Sequence, residues 1–179
     1  MNNIILKIMV KKFIFTFAFA ALMAFTMTAQ RIAYVDVAAV LDKVPEYKQA
    51  QKQLDDLAQK WRSEIAQEYD KIKGMYSRYQ AEQVLLSDDV RNQKEEEIMA
   101  KEKEVREMQK NKFGPEGALF KKRQELVRPI QDRVYTAIED YANDKGFDFI
   151  FDKSSNTGMI FTNARYDKTE DIIKGLGLE

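Results

Sequence analysis

The chain has no cysteine and no histidine. The first absence excludes disulfides, thiolate nucleophiles and cysteine-type zinc sites. The second removes the commonest general base and metal ligand. Proline (3) and glycine (7) are few among 179 residues, which speaks for long helices and against a loop-rich fold. Excess charge of one sign is missing too: 29 Lys and Arg face 29 Asp and Glu. Phosphate binding needs a basic surface, so nucleic acid is not an expected partner. A nucleophile–base pair is also lacking. Asp148 and Asp152 come nearest to the paired carboxylates of acid–base catalysis, but they read as surface positions of an amphipathic strand. No enzyme activity, cofactor or metal is expected.

The one long apolar run lies at the N-terminus. Lys7, Lys11 and Lys12 precede Phe13 to Phe25, and Thr26-Met27-Thr28-Ala29 come after it. That is the order of a secretory signal peptide, with cleavage expected between Ala29 and Gln30. A cut after Thr28 is the alternative, since Met27 is a poor residue three places before Ala29–Gln30. Met9-Val10-Lys11-Lys12 also resembles a signal start. A membrane anchor is the competing reading, but the run is short of the roughly 20 residues a span takes. Without residues 1–29 the charge is −3, from 26 basic and 29 acidic side chains. The expected product is exported and soluble, in a compartment without ATP.

Most of the remaining chain is helix. Leu54, Ala58, Trp61, Ile65, Tyr69, Ile72, Tyr76 and Tyr79 form one stripe with a mean step of about 3.6 residues. A helix from Glu46 to Leu86 would be roughly 60 Å long and must project from so small a protein. Leu86-Ser87-Asp88-Asp89 interrupts it, with Ser87 as a candidate cap and two acids in the next first turn. The returning stripe is thinner: Val90, Ile98, Val105, Met108 and Phe113. Gly114 and Pro115 break it and are the candidate hinge, with Pro115 a candidate start for the next helix. Apolar spacing resumes from Leu119 to Tyr141, with Pro129 expected to bend the helix and Gly146 to close it in the left-handed conformation.

The ends read differently. Arg31-Ile32-Ala33-Tyr34-Val35-Asp36 is a strand, followed by a short helix capped by Asp36. Pro45 fits the first turn of the long helix. Phe147-Asp148-Phe149-Ile150-Phe151-Asp152 is a second strand with three Phe on one face. Met159 to Thr162 is its expected hairpin partner. Asp167-Lys168-Thr169-Glu170 resembles a capping box opening a last helix through Ile172, Ile173 and Leu176.

The predicted fold is α+β and mostly helical: a long antiparallel helical hairpin projecting from a small β-rich oligomerisation body. Residues 30–44 and 128–179 form the body, and 45–127 form a coiled-coil-like hairpin with its tip near 86–89. A body that small often needs association to be stable, and its strand edges need cover. Ile32, Tyr34, Phe149, Phe151 and Ile160 are the candidate assembly residues. Met75, Tyr76, Tyr79, Met99 and Met108 are candidate contacts for a bound partner, because Met and Tyr adapt to varied surfaces. The competing role for Tyr76, Tyr79 and Met108, which lie on the stripes, is to fill the seam between helices.

This order of parts resembles the Skp/OmpH family of periplasmic chaperones for outer-membrane proteins. The resemblance is carried by Arg31 to Asp36, by Gly146 to Asp152, by the hairpin between them and by Asp167 to Leu176. It covers residues 30–179, and no single motif is sharp. It implies a homotrimer whose hairpins hang as tentacles around a cavity. Unfolded outer-membrane proteins are held there without ATP, with indirect contact to the membrane or lipopolysaccharide as a further implication. Well-known members are basic with positively charged tips, whereas this processed chain is slightly acidic and carries Asp88 and Asp89 at its tip. A structural spacer or adaptor of the cell envelope is the alternative function.

The signal reading makes one direct prediction: protein recovered from the exported fraction begins at Gln30. Intact-mass measurement checks this, and a mass that retains residues 1–29 would favour the anchor.

Overall fold

The computed structural model describes residues 30–155 and 158–178. The signal segment 1–29, Ala29 included, lies outside the described residues, and Gln30 is exposed coil. The chain opens with strand β1 (Ile32–Val35) and a short helix α1 (Val37–Lys43). It then runs out along α2 (Pro45–Glu82), turns, and comes back along α3 (Asp88–Phe113) and α4 (Ala118–Lys145). Strand β2 (Phe149–Asp152) and helix α5 (Thr169–Gly175) complete it.

The capping signals act largely as the sequence implies. Asp36 accepts from the Ala39 N–H at 2.9 Å, so α1 starts where β1 ends. Pro45 occupies the first turn of α2, where a missing N–H costs nothing. Gly146 ends α4 at φ 66° and ψ 47°, the left-handed conformation glycine adopts without penalty. Ser87 precedes α3, but its hydroxyl makes no capping bond. The capping box at α5 does not form: the cap position falls on Lys168, which makes no side-chain capping bond, and Asp167 before it accepts from both the N–H (2.9 Å) and the hydroxyl (2.6 Å) of Thr169.

Three expectations need correction. Met159 to Thr162 forms no strand; β2 pairs instead with β1, in parallel, with Ile32 opposite Phe149 and Tyr34 opposite Phe151. The start of β2 is committed to β1. The chain reaches β2 from α4 along the side of β1, and Asp148 and Phe149 donate their N–H groups to the Arg31 carbonyl. Phe147 is not in the strand; its ring stacks on Tyr141 at 6.0 Å. Pro115 opens no helix either. It sits in a turn closed by a 2.9 Å bond from Gly117 N–H to the Gly114 carbonyl, and α4 starts at Ala118. The sheet is only two strands of four residues, so the body owes its core chiefly to helices.

That core gathers Val35, Val37, Val40, Leu41, Val44, Val134, Ile172 and Ile173, all buried. It draws on both ends of the chain. α2 leaves it at Tyr47 and packs first on α4, through Ala50, Leu54 and Val127. Farther out it packs on α3, through Ile65, Ile72 and Val105. One unbroken helix therefore lies against two consecutive ones.

Ile172 is almost fully buried and α5 contributes it from the last turns of the chain. Ile172→Ala should cost about 2–5 kcal/mol, the range for emptying such a site. Denaturant unfolding measures it, and a change well below this range would mean α5 is not integral to the body.

Candidate functional site

The arm beyond the body has a thin, largely polar seam. Of the α2 stripe, Ile65 and Ile72 are buried while Tyr69 and Tyr76 are exposed. Across the gap, α3 offers mostly Glu and Lys, so the tyrosines meet carboxylates and amides. Tyr76 donates to Glu102 at 3.0 Å, Tyr79 donates to Glu95, and Tyr69 faces Gln109 at 3.4 Å. The hydrogen bonds donated to Glu102 and Glu95 favour the neutral hydroxyls of Tyr76 and Tyr79 and raise their pKa, with burial and the carboxylate charge adding to the shift. Ion pairs Lys101–Glu68 (2.8 Å), Lys112–Glu64 (3.4 Å) and Lys94–Glu82 (3.4 Å) also bridge the helices.

The five candidate client residues do not form one patch. Met75 and Tyr79 line a shallow cleft of about 250 Å³ with Lys94 and Ile98. Tyr76 is exposed along its ring and tied to α3 at its hydroxyl. Met99 projects from α3 into solvent. Met108 packs against the buried seam cluster, as the stripe implies for it.

At the end of the arm, Gln83–Leu85 forms a single tight turn of 3₁₀ helix, and Leu86 is extended. Val84 and Leu85 stand 84% and 85% exposed there. Sequence reasoning marked this place only by its polar cap. The signal for more was the run Val84-Leu85-Leu86, apolar residues at a break that leaves the first two in water and the third half-buried.

The Gly114–Pro115 break is tightly built. A Cβ on Gly114 would lie 2.5 Å from the Lys110 carbonyl oxygen, and one on Gly117 2.9 Å from the Lys112 carbonyl oxygen. Trp61 braces it from α2: its ring meets Phe113 edge-on at 6.1 Å, with Lys112 Nζ 4.5 Å from its centroid. The role of Trp61 was not legible from its place in the stripe, because the partner sits across the hairpin.

In the body, the outward face of the sheet is apolar and open. Ile32, Phe149 and Phe151 are 43%, 51% and 44% exposed, and the two Phe rings stack at 6.4 Å. Ile160 is fully exposed and Phe161 nearly so, on an extended segment nearby. Tyr34 differs from the other candidate assembly residues. It is buried within the chain, under Lys153 Nζ at 5.8 Å and beside Asp167, with which it forms a bridge. Asp148 and Asp152 serve the fold: Asp148 accepts the Arg31 backbone N–H at 2.7 Å, and Asp152 accepts from Ser154 N–H at 2.8 Å. No helix among the described residues is long and apolar enough to cross a membrane.

A projecting helical hairpin on a small two-stranded body defines a recognisable class of protein. Residues 31–176 match the family described as outer membrane protein (OmpH-like), and the chain belongs to that family. Its fold is similar to a crystal structure of a candidate outer membrane chaperone (OmpH-like) from Caulobacter crescentus CB15. The TM-score is 0.65 at 12% identity, over 83% of this chain and 85% of that one. No curated protein matches.

The polar seam carries a pH dependence. Hydrogen bonds from Lys101 and then Lys71 hold the Glu68 carboxyl below its usual value of 4.5. A depressed carboxylate stabilises the fold above its unfolded value, and that contribution is lost as pH falls through the lower folded one. Thermal midpoints should therefore fall between about pH 6 and about pH 3.5, and Glu68→Gln should show a lower midpoint at the higher pH with a smaller fall. Circular dichroism at both pH values checks this; identical pH profiles would remove Glu68 from the seam's account.

Proposed function

We propose that the chain is an ATP-independent holdase chaperone that binds unfolded outer-membrane proteins in the periplasm. In this reading three copies join through their bodies, and the arms surround the client. The observation that carries the proposal is the arm itself. Two helices of 38 and 26 residues project with a seam only a few apolar residues deep. Such a hairpin opens locally at low cost, so it can fit clients of different size. Membership of the OmpH-like family and the description of the Caulobacter protein as an outer membrane chaperone support the same reading.

Assembly has a physical motive in the body. A two-stranded sheet is too small to stand alone, and parallel sheets are normally covered on both faces. Here one face rests on the core, while Ile32, Phe149, Phe151 and Ile160 stand outward. The outer edge of β2 is open as well, because β1 is its only strand partner among the described residues. Covering that face with other copies would bury the aromatic pair and gather the arms on one side. Gly114 and Pro115 are then the place where each arm bends. Met75, Tyr79 and Met99, with Tyr76 beside them, give the arm its adaptable apolar contacts.

The test uses an unfolded β-barrel protein diluted from denaturant. The processed chain should suppress its aggregation at stoichiometric trimer and sediment as a trimer. Phe151→Asp should lower the mass and weaken suppression together. A trimer that suppresses nothing would leave the arm as an envelope spacer, and a stable folded monomer would remove the assembly.

A further inference from the structure

The body holds a cleft that neither the arm nor the exposed aromatic pair uses. It encloses about 520 Å³ beside β1, and its walls include Arg31, Tyr141, Lys145, Phe147 and Arg165. Two of the cations are held in place. The Arg31 guanidinium donates to the Lys145 carbonyl and lies 4.9 Å from the Phe147 ring centroid. Arg165 donates to the Tyr166 hydroxyl at 2.6 Å and covers that ring at 4.5 Å.

The cations lining the cleft outnumber the acids beside it. Among the described residues, neither Arg31, Lys145 nor Arg165 forms an ion pair with a carboxylate. The two nearby acids are committed elsewhere. Asp148 takes the Arg31 backbone N–H at 2.7 Å. Asp171 takes the Tyr141 hydroxyl at 2.7 Å and lies 3.6 Å from Lys168. Burial, then Asp171, pushes the Tyr141 hydroxyl up to about 12, so it stays a neutral donor. Three unpaired cations thus surround one space in a chain that carries a net negative charge without residues 1–29.

A second observation says what kind of anion fits. Ile32 also lines the cleft. In a parallel pair, alternate residues turn their N–H and C=O away from the partner strand. On β1 these are Ile32 and Tyr34. The Tyr34 carbonyl receives the Lys168 N–H at 2.9 Å, while the groups of Ile32 have no backbone partner among the described residues. An open strand edge recognises a peptide backbone, which a phosphate or lipid headgroup cannot supply. Aromatic walls accept an apolar or aromatic side chain.

We propose that this cleft binds the C-terminal end of an unfolded chain. The terminal carboxylate meets Lys145, Arg165 and Arg31, the last apolar side chain lies against Phe147, and the preceding backbone pairs with Ile32. Capture of a terminal carboxylate is a known way to read a peptide end. The site uses the outer edge of β1, whereas the trimer contact uses the outward face and the edge of β2. The inference rests on the holdase reading and gives the client a fixed end inside the platform.

The test compares two synthetic peptides of one alternating apolar sequence ending in Phe, one with a free carboxylate and one amidated. Each is titrated by fluorescence anisotropy into the assembled full chain. The acid should bind about tenfold tighter or better, the worth of one charge-assisted hydrogen bond. Lys145→Gln and Arg165→Gln should bring the acid close to the amide while leaving the amide unchanged. Equal binding of acid and amide by the wild-type chain overturns the proposal, as does binding of neither. Equal binding combined with Lys145-dependent capture of anionic phospholipid vesicles overturns it in favour of a lipid site. Aggregation suppression separates the two levels: intact suppression with equal peptide binding sinks only this site, and absent suppression sinks the holdase reading.

Discussion

Everything in this molecule depends on one closure. Arg31 and Asp148 stand 117 positions apart, yet the backbone N–H of one meets the carboxylate of the other. The Arg31 carbonyl receives the N–H groups of Asp148 and Phe149, and its guanidinium reaches the end of α4. That knot brings the two ends of a long helical excursion together. Loop-closure entropy grows only logarithmically with length, so the long arm adds little to the cost of joining its ends. What it does demand is a strong local join, supplied by a backbone ladder, the Asp36–Thr169 bond at 2.9 Å and the shared core of α1, α4 and α5.

The arm has the opposite design. Near the body α2 buries Ala50 and Leu54 against Val127, but farther out only Ile65 and Ile72 of its stripe are buried, and ion pairs such as Lys101–Glu68 bridge the helices between them. Solvated ion pairs contribute little on their own. The middle of the arm is therefore held by a few side chains, of which Ile65, Ile72, Ile98 and Val105 are buried. The tip, with Val84 and Leu85 in water, has none. The gradient from body to tip is a gradient of burial, and it puts the greatest freedom at the tip.

Local signals were legible because they are local. The 3.6-residue stripe, Pro45, Asp36 and Gly146 each act through bonds to their own neighbours, and they placed the long helices and their ends. What escaped was non-local. Met159 to Thr162 has the composition of a strand, but composition does not say that Arg31 already offers Phe149 a partner in the opposite sense. Trp61 sits in the stripe like any core residue, and only the fold brings Phe113 and Lys112 to it. Tyr34 alternates with Ile32 in sequence, yet Lys153 and Asp167 cover one and leave the other bare. The cationic cleft was invisible for the same reason, since Arg31, Lys145 and Arg165 come from three distant segments.

The unbroken α2 lies against two helices joined by a tight turn, and its distal seam shares no buried residue with the body core. Reach and anchorage are therefore separable properties. Whole turns added or removed in register from α2 and α3 beyond Trp61 would change how far the arm extends without disturbing a contact in the platform. Arms of different length could therefore stand on one common foundation.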